Sequence, residues 1–447
     1  MILTKIAATF DGGWATGSLV GPDHKEYERL RKVWNGVADR RPAAIVRARN
    51  SVDVSKIVKL AAQDEFRLAV RGGGHSLPGL STCDNGIVLD LSLMNNVVVD
   101  RASRVAEVGG GALLGNLDAA GSSADLVTPA GIISHTGVAG LTLGGGMGWL
   151  SRRFGLTIDS LAGADIVTAD GRLVQTSPEV EPELFWGIRG GGGNFGVVTK
   201  FRFRMHPLGP VLIGQWNYPP ATFRTALASY AEVAAKAPRE LTSAVTLTST
   251  NLSVTAVWSG STHDAEATVS RYGRLAQSGS GKLGGLTFLQ LQSRNDAHFA
   301  WGRRYYAKGG FLQDFDEHAI GCLLEAIADA PTTASELYIL QLGGAISDVD
   351  EGATAYSGRQ AGFYWIAEPV WDLADADARC IAWGRLAGQR LSEISRAGNY
   401  VNEQADFGKD VAYDAYGAEK YKRLAKLKAR FDPSNVFRLN QNIEPAS

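Results

Sequence analysis

The stretch RLAVRGGGHS, residues 67–76, decides how this chain is read. Its first four residues suit a strand, which runs straight into three glycines and a histidine. Consecutive glycines leave successive backbone N–H groups uncovered, and such a nest binds a pyrophosphate well. Each N–H to an ionised oxygen contributes roughly 1.5–3 kcal/mol. His75, at the end of the loop, is placed to lie over whatever the phosphates carry. Taken alone, it is equally a turn residue satisfied by backbone.

Outward from that loop the glycines keep clustering. There are 53 in 447 residues, well above the usual share of about 7%. They gather at 72–74, 109–111, 144–146 and 190–193, which suggests one large ligand contacted by several loops. Strand and helix signals alternate around them. AAIVRAR (43–49) reads as a strand, and Ser51 caps a helix through about Phe66 with Val54, Ile57, Val58 and Ala61 on one face. GIVLDLS, NNVVVD and SRVAEVGGG (103–111) continue as strands, with a helix from about Ala112 to Gly121 after them. ADIVTADGRLVQTS reads as a hairpin turning at Asp170 and Gly171. ELFWGIRGGGGNFGVVTKFRFRMHP reads as helix, glycine loop and strand.

HPLGPVLIG (206–214), with two prolines and two glycines, marks a boundary. Beyond it SAVTLTSTNLSVTAVW alternates apolar and polar across a turn at Thr250 and Asn251, and SELYILQL and AGFYWIAEPVW read as further strands. Helical stretches lie near 221–237, 264–277, 316–329 and 373–396. This spacing predicts an antiparallel sheet covered on one face by helices. After about Gly398 a loop leads to the helix YGAEKYKRLAKLKARF, closed by Asp432 and Pro433, and then to FRLNQNI.

Other classes of function find no support. The net charge is −1, with 45% apolar and 20% charged residues, so there is no electrostatic case for nucleic acid or an anionic membrane. Cys83, Cys322 and Cys380 lie too far apart in sequence for a metal motif or a disulfide framework, and no metal site is expected. The opening MILTKIAATFDGGW lacks a leader's apolar region and cleavage site. No apolar run approaches the ~18 residues of a membrane span. The expectation is a cytoplasmic protein without an anchor, its oligomeric state open. The formal GxGxxG match at residues 191–196 follows a helix and precedes a strand, the reverse of a dinucleotide fingerprint. Walker A, GxSxG and HExxH patterns are absent.

Five segments occur in a telling order: RGGGHS (71–76), GIVLDLSLMNNVVVD (86–100), GLTLGGGMGWLSRRFGLTID (140–159), ELFWGIRGGGGNFGVVT (183–199) and FDPSNVFRLNQNI (431–443). Together they resemble the berberine-bridge-enzyme-like branch of the vanillyl-alcohol-oxidase (PCMH-type FAD-binding) flavoproteins, in the style of bacterial hydroxynicotine oxidase. The resemblance is strong over about 35–210 and clear over 400–443; residues 211–395 share only texture. It implies an α+β fold. An FAD-binding domain of two α/β subdomains would span 1–209, with its core at about 38–209. A substrate domain with a helix-covered antiparallel sheet would span 210–397, and 398–447 would return to the FAD-binding domain.

The same resemblance implies FAD bonded covalently through His75. A second tether in some members is a cysteine, and here Ile133 stands at that position, so a single bond is expected. Phosphate and ribityl contacts are expected from Arg71, Gly72, Gly73, Gly74, His75 and Ser76, and from Gly144, Gly145, Gly146 and Gly148. Gly131, Ser134, Thr136 and Gly137 should follow the isoalloxazine, with Gly140 near them and His135 either beside the flavin or satisfying loop carbonyls. Gly193, Asn194, Gly196, Val197 and Val198 should face the adenine or pyrophosphate, while Asn402, Asn440 and Asn442 close the site. Histidines 24, 206, 263, 298 and 318 read as structural or exposed.

Substrate oxidation needs a hydride acceptor, a base and a shaped pocket. Tyr400, in a Tyr-x-Asn segment with Asn402, is the first candidate base; it would need a lowered pKa or a concerted transfer. Tyr338, Gln341, Tyr364, Trp365 and Glu368 are pocket candidates. Strand alternation allows only one of Tyr338 and Gln341 to face the cavity, whereas Tyr364 and Glu368 share a face. The leading expectation is an oxidase acting on an alcohol or amine carbon of a small molecule, with O2 as acceptor; small Thr136 near the oxygen-access position favours this. The alternatives are a dehydrogenase with another acceptor, or a flavin-binding protein without turnover.

Overall fold

The computed structural model describes residues 2–10, 18–261 and 263–446. The end of the MILTKIAATFDGGW opening therefore lies outside the described residues. Three sheets carry the architecture. The first has strand order Leu19–Val20, Ala44–Arg47, Ile87–Asp90, Leu68–Arg71, with Ile87–Asp90 parallel to both neighbours. Parallel register sets Arg71 against Asp90, and the two form a buried ion pair at 3.1 Å. Helix Ser51–Gln63 covers this sheet with Val54, Ile57, Val58, Leu60 and Ala61. Its cap is Asn50 rather than Ser51: the Asn50 side chain accepts from the Asp53 N–H at 2.9 Å, leaving Ser51 as the first helical residue.

The second sheet runs Val97–Asp100, Val105–Gly109, Val197–Arg204, Leu161–Val167, Leu173–Thr176 and is antiparallel throughout. Its last pair is the expected hairpin, with Val167 opposite Leu173 and Gly171 at φ 76° supplying the turn.

The third sheet has eight strands: Ser280–Leu286, Val211–Tyr218, Leu252–Trp258, Leu241–Leu247, Glu336–Gln341, Phe363–Glu368, Lys308–Leu312 and Ser395–Arg396. All its pairings are antiparallel. Helices Phe223–Ala235, Glu317–Ala328 and Asp377–Ser392 bury one face of it, sharing a core with Val245, Ile339 and Trp365. Each fully buried Leu, Ile or Phe of that core contributes about 1.5–3 kcal/mol. The opposite face, with Leu340 and Tyr364, packs on Trp149, Leu156 and Tyr400. The helix expected over 264–277 is only Ala265–Val269 followed by a 3-10 turn Ser270–Gly273.

The last helix spans Lys409–Phe431, starting earlier than its sequence pattern and interrupted at Gly417 (φ 70°). Near its end Lys428 is fully buried and donates to Asp432 (2.6 Å), the Asn194 carbonyl (2.9 Å) and the Phe437 carbonyl (3.0 Å). Asp432 in turn accepts from the Val436 and Phe437 N–H groups. Asn194 donates to the Gln441 carbonyl and accepts from the Ile443 N–H. The tail is thus fixed to the 190–196 glycine loop by polar bonds out of water. Replacing one member of such a pair strands the other, at about 3–5 kcal/mol. Lys428→Met is expected to lose that much in urea unfolding monitored by tryptophan fluorescence, and Asp432→Asn less, since its carbonyl still accepts.

Candidate active site

The glycine loops of the first two sheets and the open face of the third enclose a cavity of about 560 Å³, within the range of cofactor pockets. Its back wall is set by backbone contact. A Cβ on Gly73 would lie 2.3 Å from the Gly137 nitrogen and 2.4 Å from its Cα, so the RGGGHS turn and the 131–137 loop meet at a distance only glycine allows. His75 lies beside this contact. Its Nε2 is 2.9 Å from His135 Nδ1, and Trp34 stacks on its ring at 4.1 Å, with Tyr305 on Trp34 at 3.9 Å. Burial, and then the neighbouring His135, push the His75 imidazole well below its ordinary range, so it is neutral at pH 7. His75 Nδ1 carries no protein hydrogen bond among the described residues.

Of the RGGGHS turn, Gly72, Gly73, Gly74, His75 and Ser76 line the cavity, while the Arg71 guanidinium is spent on Asp90 and the Lys32 carbonyl. Gly131, Thr136, Gly137 and Gly140 line it too, and so does Ile133, at the position of the absent cysteine. Ser134 does not: its N–H and hydroxyl donate to Asp296, at 2.9 and 2.5 Å. Gln292 donates to the Gly131 carbonyl at 2.8 Å, so residues 292–296 hold the loop from the side of the third sheet.

The Gly144–Gly148 segment departs from expectation. Added Cβ atoms would strike Asn402 at Gly144, Tyr356 at Gly145, Thr157 at Gly146 and the Ala130 carbonyl at Gly148. These glycines permit close packing within the protein and do not line the cavity. On the far side Gly192, Gly193, Gly196, Val197 and Val198 do line it, and nothing lies within 4 Å of a Cβ on Gly193. Asn194 is turned to the tail, as described. Asn402 and Asn440 reach the cavity and Asn442 does not.

The front wall comes from the third sheet. Tyr338, Tyr364 and Glu368 face the cavity together with Tyr400. Gln341 faces the other side, bonded to Ser243 and the Ala234 carbonyl, as alternation requires, and Trp365 donates to Ser395 behind the sheet. The Tyr400 oxygen accepts from the Gly146 N–H (3.1 Å) and Asn402 Nδ2 (2.9 Å), which fixes the ring. Burial, then Glu403, nonetheless raises its pKa, so the lowered pKa that a tyrosine base needs is not found. Tyr364 donates to Asn399 at 2.9 Å, and the Tyr338 hydroxyl has no partner. Glu403, absent from the sequence reading, lines the cavity beside Tyr400, and burial pushes it up to about 7. Glu336 and His298 were also missed; they line the same wall, 3.4 Å apart. Glu336 was legible as the residue two before Tyr338, on the same strand face.

The residues fit a flavin dinucleotide. The glycine cradle is open where a Cβ would fill it, the Asn440 and Gln441 side-chain oxygens are buried without partners at its edge, and a neutral imidazole stands at the wall. Among the described residues no helix is long and apolar enough to cross a membrane, and no cluster could hold a metal ion.

Comparison with known proteins agrees. Residues 42–177 match an FAD binding domain model, and residues 399–444 match the berberine and berberine-like model. An FAD-linked oxidoreductase of Dictyostelium discoideum is 33% identical over 427 residues, 94% of this chain and 93% of that protein. The crystal structure of 6-hydroxy-D-nicotine oxidase from Arthrobacter nicotinovorans superposes with a TM-score of 0.88 at 25% identity, covering 97% of this chain and 99% of that one. Glucooligosaccharide oxidase from Acremonium strictum, which carries a 6-S-cysteinyl, 8α-N1-histidyl FAD, shares the fold at 22% identity and a TM-score of 0.89, with 99% of each chain covered. The motifs, the cradle and these likenesses place the chain among the FAD-linked oxidoreductases, and it belongs to the berberine-bridge-enzyme-like branch of the vanillyl-alcohol-oxidase, PCMH-type flavoprotein family.

Proposed function

We propose that this oxidoreductase is an oxidase that carries FAD on a single covalent bond to His75, takes a hydride from an alcohol or amine carbon of a small organic substrate, and passes the electrons to O2 to give H2O2. The observation that carries this reading is the neutral His75 imidazole, oriented by His135 and stacked on Trp34, at the wall shared by the glycine cradle and the tyrosine-lined chamber. When bound, FAD supplies the hydride acceptor and the exit for electrons.

The chain's residues divide the remaining work. His135 occupies Nε2 of His75, leaving Nδ1 as the nitrogen free to bond carbon; a neutral imidazole is the nucleophilic form. The histidyl linkage of the oligosaccharide oxidase supports the same assignment. Ile133 leaves no sulfur for a second tether. In the chamber, Tyr400 is a fixed phenol that positions the substrate. The proton leaves to a carboxylate, and Glu403, with a pKa near neutrality, suits a general base at physiological pH. Glu368 is the second candidate, and Tyr338 and Tyr364 shape the pocket. Small Thr136 beside the cradle supports O2 access. Residues 1–209, 210–397 and 398–447 serve as cofactor-binding part, substrate part and returning closure.

Three outcomes test this. Acid-precipitated wild-type protein should keep its yellow colour in the pellet, and His75→Ala should lose it to the supernatant; colour retained by the variant refutes the tether. Gly73→Ala puts a methyl group 2.3 Å from backbone, at a cost of about 1–3 kcal/mol of loop separation, so flavin content per protein, read by absorbance, should fall severalfold or more. With substrate present, an oxygen electrode should record consumption that falls as pH drops through about 7, because Glu403 then takes up a proton. Rapid anaerobic bleaching with no oxygen uptake would instead identify a dehydrogenase.

A further inference from the structure

We propose that the chamber binds its substrate as an organic cation, so that the oxidised carbon belongs to an amine rather than to a sugar or a neutral alcohol. This rests on the flavin reading above and narrows it.

The charge pattern of the cavity carries the inference. Among the described residues that line it, the carboxylates are Glu336, Glu368 and Glu403, and no lysine or arginine is present. Glu336 and Glu368 stand on the third sheet, and Glu403 ends the 3-10 turn Val401–Glu403 beside Tyr400. Glu336 and Glu368 are direct partners across adjacent antiparallel strands, each only 6% exposed. Like charges set opposite in a ladder are unfavourable, and burying an unpaired carboxylate is more so. The Glu368 side chain nevertheless has no hydrogen bond or ion pair among the described residues, and the Tyr338 hydroxyl beside it has no partner either.

Among the described residues Glu368 and Glu403 have no cationic side chain as an ion-pair partner. His298 reaches Glu336 at 3.4 Å. Arg294 is committed to Gln215 at 2.7 Å, outside the lining. Tyr305, Tyr338, Tyr364 and Tyr400 are phenols whose pKa values burial raises, so they stay uncharged. A sugar hydroxyl offers a hydrogen bond but no charge to favour ionisation of the buried Glu368 carboxyl. An ammonium supplies that charge directly, and the Tyr338, Tyr364 and Tyr400 rings offer it aromatic faces. Burial raises Glu368 well above the ordinary carboxylate range, with Glu403 and Glu336 adding to it, and burial alone brings Glu403 to about 7. Without a cation Glu368 holds a proton, so a cation that binds drives it off; an ionised carboxylate then takes one ammonium N–H proton, and the neutral amine gives up its α-hydride to leave an iminium ion.

The test uses the full-length, flavin-loaded protein and two probes of equal shape, 2-phenylethylamine and 2-phenylethanol. Affinities are read at pH 8 by calorimetry in two buffers of different ionisation heat, which also counts the protons released. The amine should bind at least tenfold more tightly and release protons, and the alcohol should release none. The preference should shrink as pH falls below about 7. Glu368→Gln replaces a buried carboxyl that has no partner with a neutral group of the same shape, so it should fold at least as well as the parent and bring the affinity ratio towards one; Glu336→Gln provides an independent variant expected to lower the ratio as well. Equal affinities, no amine binding, or binding without proton release overturns the proposal. Protein that carries no flavin refutes the function proposed above, whereas flavin-loaded protein without an amine preference refutes this inference alone.

Discussion

The site depends on one backbone contact. Gly73 and Gly137 approach so closely that a single methyl group on either would overlap the other's main chain. No side-chain interaction could substitute, because the gain is the removal of side chains. The contact sets the RGGGHS turn against the 131–137 loop, and from it follow the pairing of His75 with His135 and the placement of Thr136 and Ile133 on the cavity wall. It also explains why glycines cluster without forming linkers: at these positions each one is a place where two backbones, or a backbone and a ligand, must meet.

A contact of that kind needs support from outside, since it supplies little cohesion itself. The support comes from sequence-distant segments. Gln292 and Asp296 hold the 131–137 loop from the third sheet by its carbonyl, amide and hydroxyl groups. Lys428, Asp432 and Asn194 fix the tail across the 190–196 loop in a fully buried polar node. Residues from the first, middle and last parts of the chain are therefore required to complete one cavity, on which the segments 71–76, 183–199 and 431–443 all converge.

The sequence revealed the cofactor side of the site far better than the substrate side. Strands such as Leu68–Arg71 and the hairpin at Gly171 follow from apolar runs and turn residues, which are local signals. The strands Ser280–Leu286 and Lys308–Leu312 escaped notice because their glycines, three and two respectively, have low strand propensity and gain their structure from pairing with neighbours. The GGG at 144–146 looks like a phosphate loop in sequence and is a packing device in space, because nothing local distinguishes a glycine that admits a ligand from one that admits Asn402 or Tyr356. Strand alternation allowed only one of Tyr338 and Gln341 to face the cavity, and Tyr338 lines it. Glu336 and Glu403 were not singled out, and His298 was read as structural or exposed, since each gains its place only when separate segments line one cavity.

That convergence gives the cavity a direction. Part of its lining is glycine backbone, which bears no formal charge; part is three carboxyl groups and a set of phenols that burial keeps protonated. A dinucleotide's phosphates and a carboxylate cluster repel each other, so on the function proposed above the phosphates would lie against the glycine backbone. The reacting ring would then lie beside titratable groups with raised pKa values, Glu368 and Glu403 among them. Burial itself brings Glu403 to about 7, which would match a proton transfer there to neutral pH. In this arrangement, cofactor retention and proton management are two consequences of how tightly three parts of the chain close on one space.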